Sequence, residues 1–103
     1  NQTRSFCFVD DLIDGLVLFM NSCNSGPLNL GNPEELSIIE IANMIKEKSS
    51  KNIKLKFLKK LEDDPKRRRP LIELAKNELN WEPKVNFNKG LEITRNYFND
   101  ILI

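Results

Sequence analysis

Between Asp63 and Pro70 the chain carries two carboxylates, then four consecutive cations, Lys66 to Arg69, flanked by Pro65 and Pro70. Such a stretch cannot sit in a core. Proline fixes φ, lacks a backbone donor and holds the preceding residue extended, so the stretch is expected to be a loop of restricted shape. Guanidinium groups on a shaped loop recognise phosphate or carboxylate through bidentate, charge-assisted hydrogen bonds. A solvated charged loop is the plainer alternative. Asp63 and Asp64 adjoin the cations and read as their counter-charges, not as a metal site. Arg4, at the entrance to an apolar stretch, is a second candidate anion ligand.

Other chemistries are excluded or weak. The chain has no histidine, which removes Ser-His-Asp and Cys-His catalysis and His-containing zinc sites. Cys7 and Cys23 form no C-x-x-C pair and are expected as free thiols. Gly26 and Gly31 have the first spacing of a phosphate loop, but Asn32-Pro33 stands where lysine and a hydroxyl are needed. No G-x-G-x-x-G turn is present, and no lysine follows Tyr97 at the spacing of a Tyr-x3-Lys pair. Asp10 and Asp11 are expected to cap a helix rather than to work as an acid–base pair.

These residues must be positioned by one small unit. The chain has 103 residues, 40% of them hydrophobic and 30% charged, with 16 basic and 15 acidic side chains and a net charge of +1. One domain fits that length and two do not. The charge balance argues against nucleic acid as a partner. The longest apolar run, Leu16 to Met20, is too short to span a bilayer.

Ser5-Phe6-Cys7-Phe8-Val9 reads as a strand. A helix opened by Asp10 and Asp11 follows, with an apolar stripe over Leu12 to Met20 wide enough for packing on more than one side. Leu28 to Leu30 reads as a short buried strand. Ser37 to Glu40 is a capping box for a helix bearing Ile38, Ile41, Ala42 and Ile45. Ile53 to Leu58 alternates apolar and cationic residues like an edge strand with Ile53, Leu55 and Phe57 inward. A short helix follows Pro70, Trp81 is expected as a core anchor, Val85 and Phe87 as an extended piece, and Asn88 as the cap of a last helix. Strands alternating with about four helices give an α/β class. So few short strands suggest part of a larger sheet, with residues 1–103 a single partial domain.

Four blocks then carry a resemblance. They are Gln2-Thr3-Arg4-Ser5-Phe6-x-x-Val9-Asp10-Asp11-Leu12, Asn29-Leu30-Gly31-Asn32-Pro33-Glu34-Glu35, Asp63-Asp64-Pro65-x-x-Arg68-x-Pro70 and Ala75-Lys76-x-x-Leu79-x-Trp81-Glu82-Pro83. In this order and spacing they resemble the C-terminal part of the extended short-chain dehydrogenase/reductases. Within that superfamily they look most like UDP-glucuronate decarboxylases, with nucleotide-sugar epimerases and 4,6-dehydratases next.

The resemblance implies a division of labour. An N-terminal Rossmann half, absent from this chain, would hold NAD and the Tyr-x3-Lys pair. The family's reaction oxidises C4 of the sugar with NAD, releases CO2 from the 4-keto acid and reduces C4 again. The C-terminal lobe binds the UDP-sugar, and Gln2, Arg4 and Arg68 inherit substrate-binding positions. Arg4 would meet the diphosphate side. Arg68 would reach the diphosphate or the sugar, and is the one candidate near the chemistry. Leu71 stands where the family commonly has aspartate, and Asn80 where glycine is frequent. The implied parent is a cytoplasmic homodimer whose interface lies mostly in the absent half, and the lobe is expected neither to bind NAD nor to turn over substrate alone. An interaction domain with a basic, anion-binding loop is the reading from another class.

Overall fold

The structure is a computed structural model, describing residues 2–23, 26–49, 54–58, 66 and 68–102. Its elements are β1 (Thr3–Arg4), α1 (Val9–Met20), β2 (Leu36–Ser37), α2 (Ile38–Lys48), α3 (Glu73–Leu79) and α4 (Phe87–Ile101). β1 and β2 pair antiparallel, Thr3 opposite Ser37 and Arg4 opposite Leu36. The four helices agree with expectation.

The strands do not. Residues 5–8 form no strand. Phe6 and Phe8 instead face α4: the Phe6 and Phe87 rings lie 5.7 Å apart, and a β-carbon on Gly90 would stand 3.2 Å from the Phe8 ring. Leu28 to Leu30 form no strand either; Leu28 and Leu30 pack irregularly onto the core. Residues 54–58 are not a strand, and Phe57, expected inward, is 78% exposed. Alternation alone does not make a strand, and among the described residues none pairs with 54–58.

The core is a small cluster of Ile72, Ala75, Leu79 and Trp81, with Phe19, Leu28 and Leu30 against it. α1 reaches it through Gly15, where a β-carbon would stand 3.1 Å from Leu30 and from the Trp81 indole. Glycine costs a helix interior about 1 kcal/mol relative to alanine, and close approach of α1 to the core is what offsets it.

The capping box of α2 forms as read: the Ser37 hydroxyl accepts from the Glu40 N–H at 3.1 Å, and the Ser37 N–H donates to the Glu40 carboxylate at 3.2 Å. The Ser37 hydroxyl, and then its backbone N–H, hold the Glu40 carboxyl below its usual range. α4 is capped by Asn86, not Asn88, its side chain accepting from the Lys89 N–H at 2.8 Å. Phe87 is therefore the first helical residue.

α3 ends on Asn80, which has φ 53° and ψ 39°. Among the described residues no other non-glycine residue has positive φ. Glycine and asparagine are the residues that adopt this left-handed conformation most readily, which explains how asparagine can stand where the resemblance led to an expectation of glycine. Asn80→Val is expected to lower unfolding free energy by about 1–2 kcal/mol and Asn80→Gly to leave it nearly unchanged. Urea denaturation of the three proteins measures the difference.

Candidate functional site

β1 is the element around which the sequence-selected residues gather. Successive strand residues turn their backbone groups to opposite edges. Gln2 faces α2 and β2, its carbonyl accepting from the Ile38 N–H at 2.8 Å. Thr3 faces the other way, its N–H donating to the Lys66 carbonyl at 2.9 Å. Two residues on, the Ser5 hydroxyl donates to the Arg68 carbonyl at 3.4 Å. Residues 66 and 68 thus lie beside β1 in parallel register. The Thr3 hydroxyl donates to Glu35 at 2.8 Å, tying β1 to the entry of β2 as well.

Arg4 is half-buried, and its guanidinium donates to the Thr3 carbonyl at 2.6 Å. Arg68 is exposed, and its guanidinium has no hydrogen bond or ion pair among the described residues. The structure therefore brings the backbone of Arg68 to the residue after Arg4, and places Gln2 on the same strand. Arg69 is exposed. Asp63, Asp64, Pro65 and Arg67 lie outside the described residues, as does Ile53.

Pro70 closes the basic stretch against Gly31: a β-carbon at position 31 would stand 2.9 Å from Cγ of Pro70. Only glycine allows that approach. The Asn29 side chain donates to the Leu71 carbonyl at 3.3 Å, while the Leu71 side chain is 68% exposed. Two motif blocks distant in sequence are thereby locked together.

The expected capping by Asp10 and Asp11 is corrected. The residue preceding α1 is Phe8, and no side chain caps it. Asp10 is exposed in the first turn. Asp11 is 4% exposed, and its Oδ2 accepts from the backbone N–H groups of Lys84 at 3.1 Å and Val85 at 2.9 Å. Its carbonyl accepts from the Trp81 indole at 2.9 Å. Asn32 donates to the Val85 carbonyl at 3.4 Å while accepting from the Glu34 N–H at 2.9 Å, and Glu34 accepts from the Phe87 N–H at 3.3 Å. The recognisable motif acids and amides are thus a clamp on residues 81–87.

Cys7 and Cys23 are free thiols. Burial, with the Asp11 charge behind it, pushes the Cys7 thiol up, away from the thiolate a nucleophile needs. No cluster that could hold a metal ion occurs among the described residues, and no helix there is long and apolar enough to cross a membrane. A cleft of about 670 Å³ lies between α1 and α3 and is lined by Asp11, Asp14, Lys76, Trp81, Glu82 and Lys84, among others. Gln2, Arg4 and Arg68 do not line it: Gln2 and Arg4 are half-buried and Arg68 is exposed.

α1 is built inside out. Its small and polar residues Asp11 and Gly15 are buried, while Val9, Ile13, Leu16, Val17 and Met20 are each at least 43% exposed. These recur at helical spacing and form one apolar face. The radius of gyration, 16.2 Å, against about 13 Å for a compact chain of 100 residues, agrees with so much uncovered surface. Packing of α1 on more than one side, expected from the width of its stripe, is not seen among the described residues: this face is uncovered.

The chain is 43% identical over 97 residues to UDP-glucuronic acid decarboxylase 3 of Arabidopsis thaliana and 50% identical over 98 residues to UDP-glucuronic acid decarboxylase 1 of Danio rerio. The alignments cover 94% and 95% of the chain but 28% and 23% of those relatives. It superposes on UDP-glucuronic acid 4-epimerase from Bacillus cereus, solved in complex with UDP-glucuronic acid and NAD, with a TM-score of 0.86 and 31% identity over 97% of the chain and 33% of that protein. The chain matches the C-terminal lobe of NAD-dependent epimerases and dehydratases in fold, and spans about a quarter of the length of its curated relatives. No protein-family model matches it. The lobe has the four helices and two-stranded sheet of that fold, and the resemblance read from its four motif blocks is met by relatives that are UDP-glucuronic acid decarboxylases. The sequence did not single out Thr3, Ser5 or the clamp role of Asp11. A usable signal for Asp11 was Pro83: a proline has no N–H, and the two donors after it need acceptors.

Proposed function

We propose that the lobe is the nucleotide-sugar-binding part of an NAD-dependent UDP-glucuronate decarboxylase, and that Arg4 and Arg68 bind the UDP diphosphate with Gln2 beside them. The observation that carries this reading is the alignment of residues 66 and 68 along β1. It puts the backbone of Arg68 beside the residue that follows Arg4. Two guanidiniums on a pyrophosphate make paired, charge-assisted hydrogen bonds, and the exposure of Arg68 suits a ligand that arrives from outside the lobe.

NAD would supply the reversible oxidation at C4 of the sugar. The residues present do not fit it: the glycines form no dinucleotide turn, and the space above Gly31 is filled by Pro70. Its site belongs to the part of the relatives that the lobe does not span. The apolar face of α1 is then the surface that part covers. The lobe holds substrate, orients the diphosphate and leaves the redox and carboxyl chemistry to groups elsewhere. A cytoplasmic homodimer, joined mostly through that other part, completes the reading.

Titrating UDP into the chain is expected to shift NMR signals of Arg4 and Arg68. Arg68→Ala should weaken UDP binding about 10- to 150-fold, the 1.5–3 kcal/mol of a hydrogen bond to a charged group. Unchanged affinity, or shifts confined to other residues at millimolar UDP, overturns the assignment. The likeness to a UDP-glucuronic acid 4-epimerase supports a second reading, in which the same lobe serves an epimerase. Release of CO2 from UDP-glucuronate by the full enzyme, against formation of an epimer, separates the two.

A further inference from the structure

The basic stretch is anchored at four points. The Lys66 carbonyl accepts from the Thr3 N–H at 2.9 Å and the Arg68 carbonyl from the Ser5 hydroxyl at 3.4 Å. Pro70 is seated against Gly31, and the Leu71 carbonyl accepts from Asn29 at 3.3 Å. Three of these fix the ends of the stretch. The Ser5 bond is the one that acts on Arg68 itself. It is long and exposed, where water competes for the same carbonyl. The Thr3 bond beneath it is short.

We propose that Ser5 is a positioning residue for Arg68, and that docking of the basic stretch along β1 is coupled to capture of a diphosphate by the Arg68 guanidinium. The inference rests on the reading that Arg68 meets the diphosphate. An arginine loses up to about 2 kcal/mol of side-chain entropy when it is held in one geometry. A backbone already fixed at its carbonyl leaves less to be ordered when the ligand arrives. By reciprocity, a ligand that prefers the docked stretch must hold the stretch docked. The Thr3 amide, bonded to the Lys66 carbonyl, is the built-in reporter of that state.

The test uses UDP as the probe on the 103-residue chain. Hydrogen exchange at the Thr3 amide is measured with and without UDP, alongside UDP affinity and the thermal midpoint. UDP is expected to raise protection of the Thr3 amide. Ser5→Ala should weaken UDP binding about three- to fivefold, the scale of one neutral hydrogen bond, and shrink that gain, with the ligand-free midpoint unchanged. Ser5→Thr, which keeps the hydroxyl, should restore both. If Arg68→Ala weakens binding while Ser5→Ala binds like the wild type, or while UDP leaves Thr3 protection unchanged, the positioning role is wrong and the Arg68 assignment stands. If Arg68→Ala is without effect, both fall together.

Discussion

Asp11→Ala is expected to lower the unfolding free energy of the lobe by about 3 kcal/mol, far more than an ordinary helix-capping aspartate, worth about 1 kcal/mol. The carboxylate is 4% exposed, and a single oxygen, Oδ2, accepts two backbone donors, from Lys84 and Val85. Hydrogen bonds to a charged acceptor contribute about 1.5–3 kcal/mol each. The two share one oxygen, and the cleft beside Asp11 and Lys84 lets water reach the freed donors, so the sum is less than twice that. Asp11→Asn keeps a carbonyl oxygen in the same place and loses only the charge, so about 1 kcal/mol is expected. Urea unfolding followed by the fluorescence of Trp81, the chain's one tryptophan, measures both. Equal, small losses for the two variants would mean that the carboxylate is a surface charge and not the clamp.

That contrast marks what the sequence could and could not carry. Helices were legible because their signals are local. Ile38, Ile41 and Ile45 recur at helical spacing, and Ser37 and Glu40 lie three residues apart, so the α2 cap forms as read. The strands were not legible, because each is two residues long and is defined by its partner. Thr3 pairs with Ser37, 34 positions away, and nothing within residues 2–5 announces that. Phe6 and Phe8 alternate like strand residues, but their rings are taken by α4. The site shows the same division. Arg4 and Arg68 were picked by residue type and by motif. That the backbone of residues 66 and 68 lies beside residues 3 to 5 depends on a backbone bond from Thr3 to Lys66, which no side chain encodes. Asp11 misled because a carboxylate in a first helical turn satisfies the capping pattern whether or not its oxygen points elsewhere.

Trp81→Ala should be the most damaging single change in the lobe, at about 3–5 kcal/mol. A chain of this length has a total stability of about 5–15 kcal/mol. This one has a core cluster of four residues and an uncovered apolar face on α1, so the lower end of that range applies. The variant is therefore expected to be largely unfolded at 25 °C, seen as loss of far-ultraviolet circular dichroism. Trp81 is 4% exposed, and its indole lies where Gly15 lets α1 approach. Trp81→Phe keeps an aromatic ring against Gly15 and removes the indole N–H, which donates to the Asp11 carbonyl at 2.9 Å. Its cost should be about 1–3 kcal/mol, combining lost volume with one lost hydrogen bond. The tryptophan holds Asp11 by its carbonyl, and Asp11 holds the chain three and four residues beyond the tryptophan by its carboxylate. The two changes must then be non-additive. A double-mutant cycle with Asp11→Asn and Trp81→Phe should return a coupling of about 0.5–3 kcal/mol, whereas independent sites would add to within about 0.5 kcal/mol. Additivity would separate the clamp into two unrelated contacts and remove the reason that the first and last motif blocks occur together.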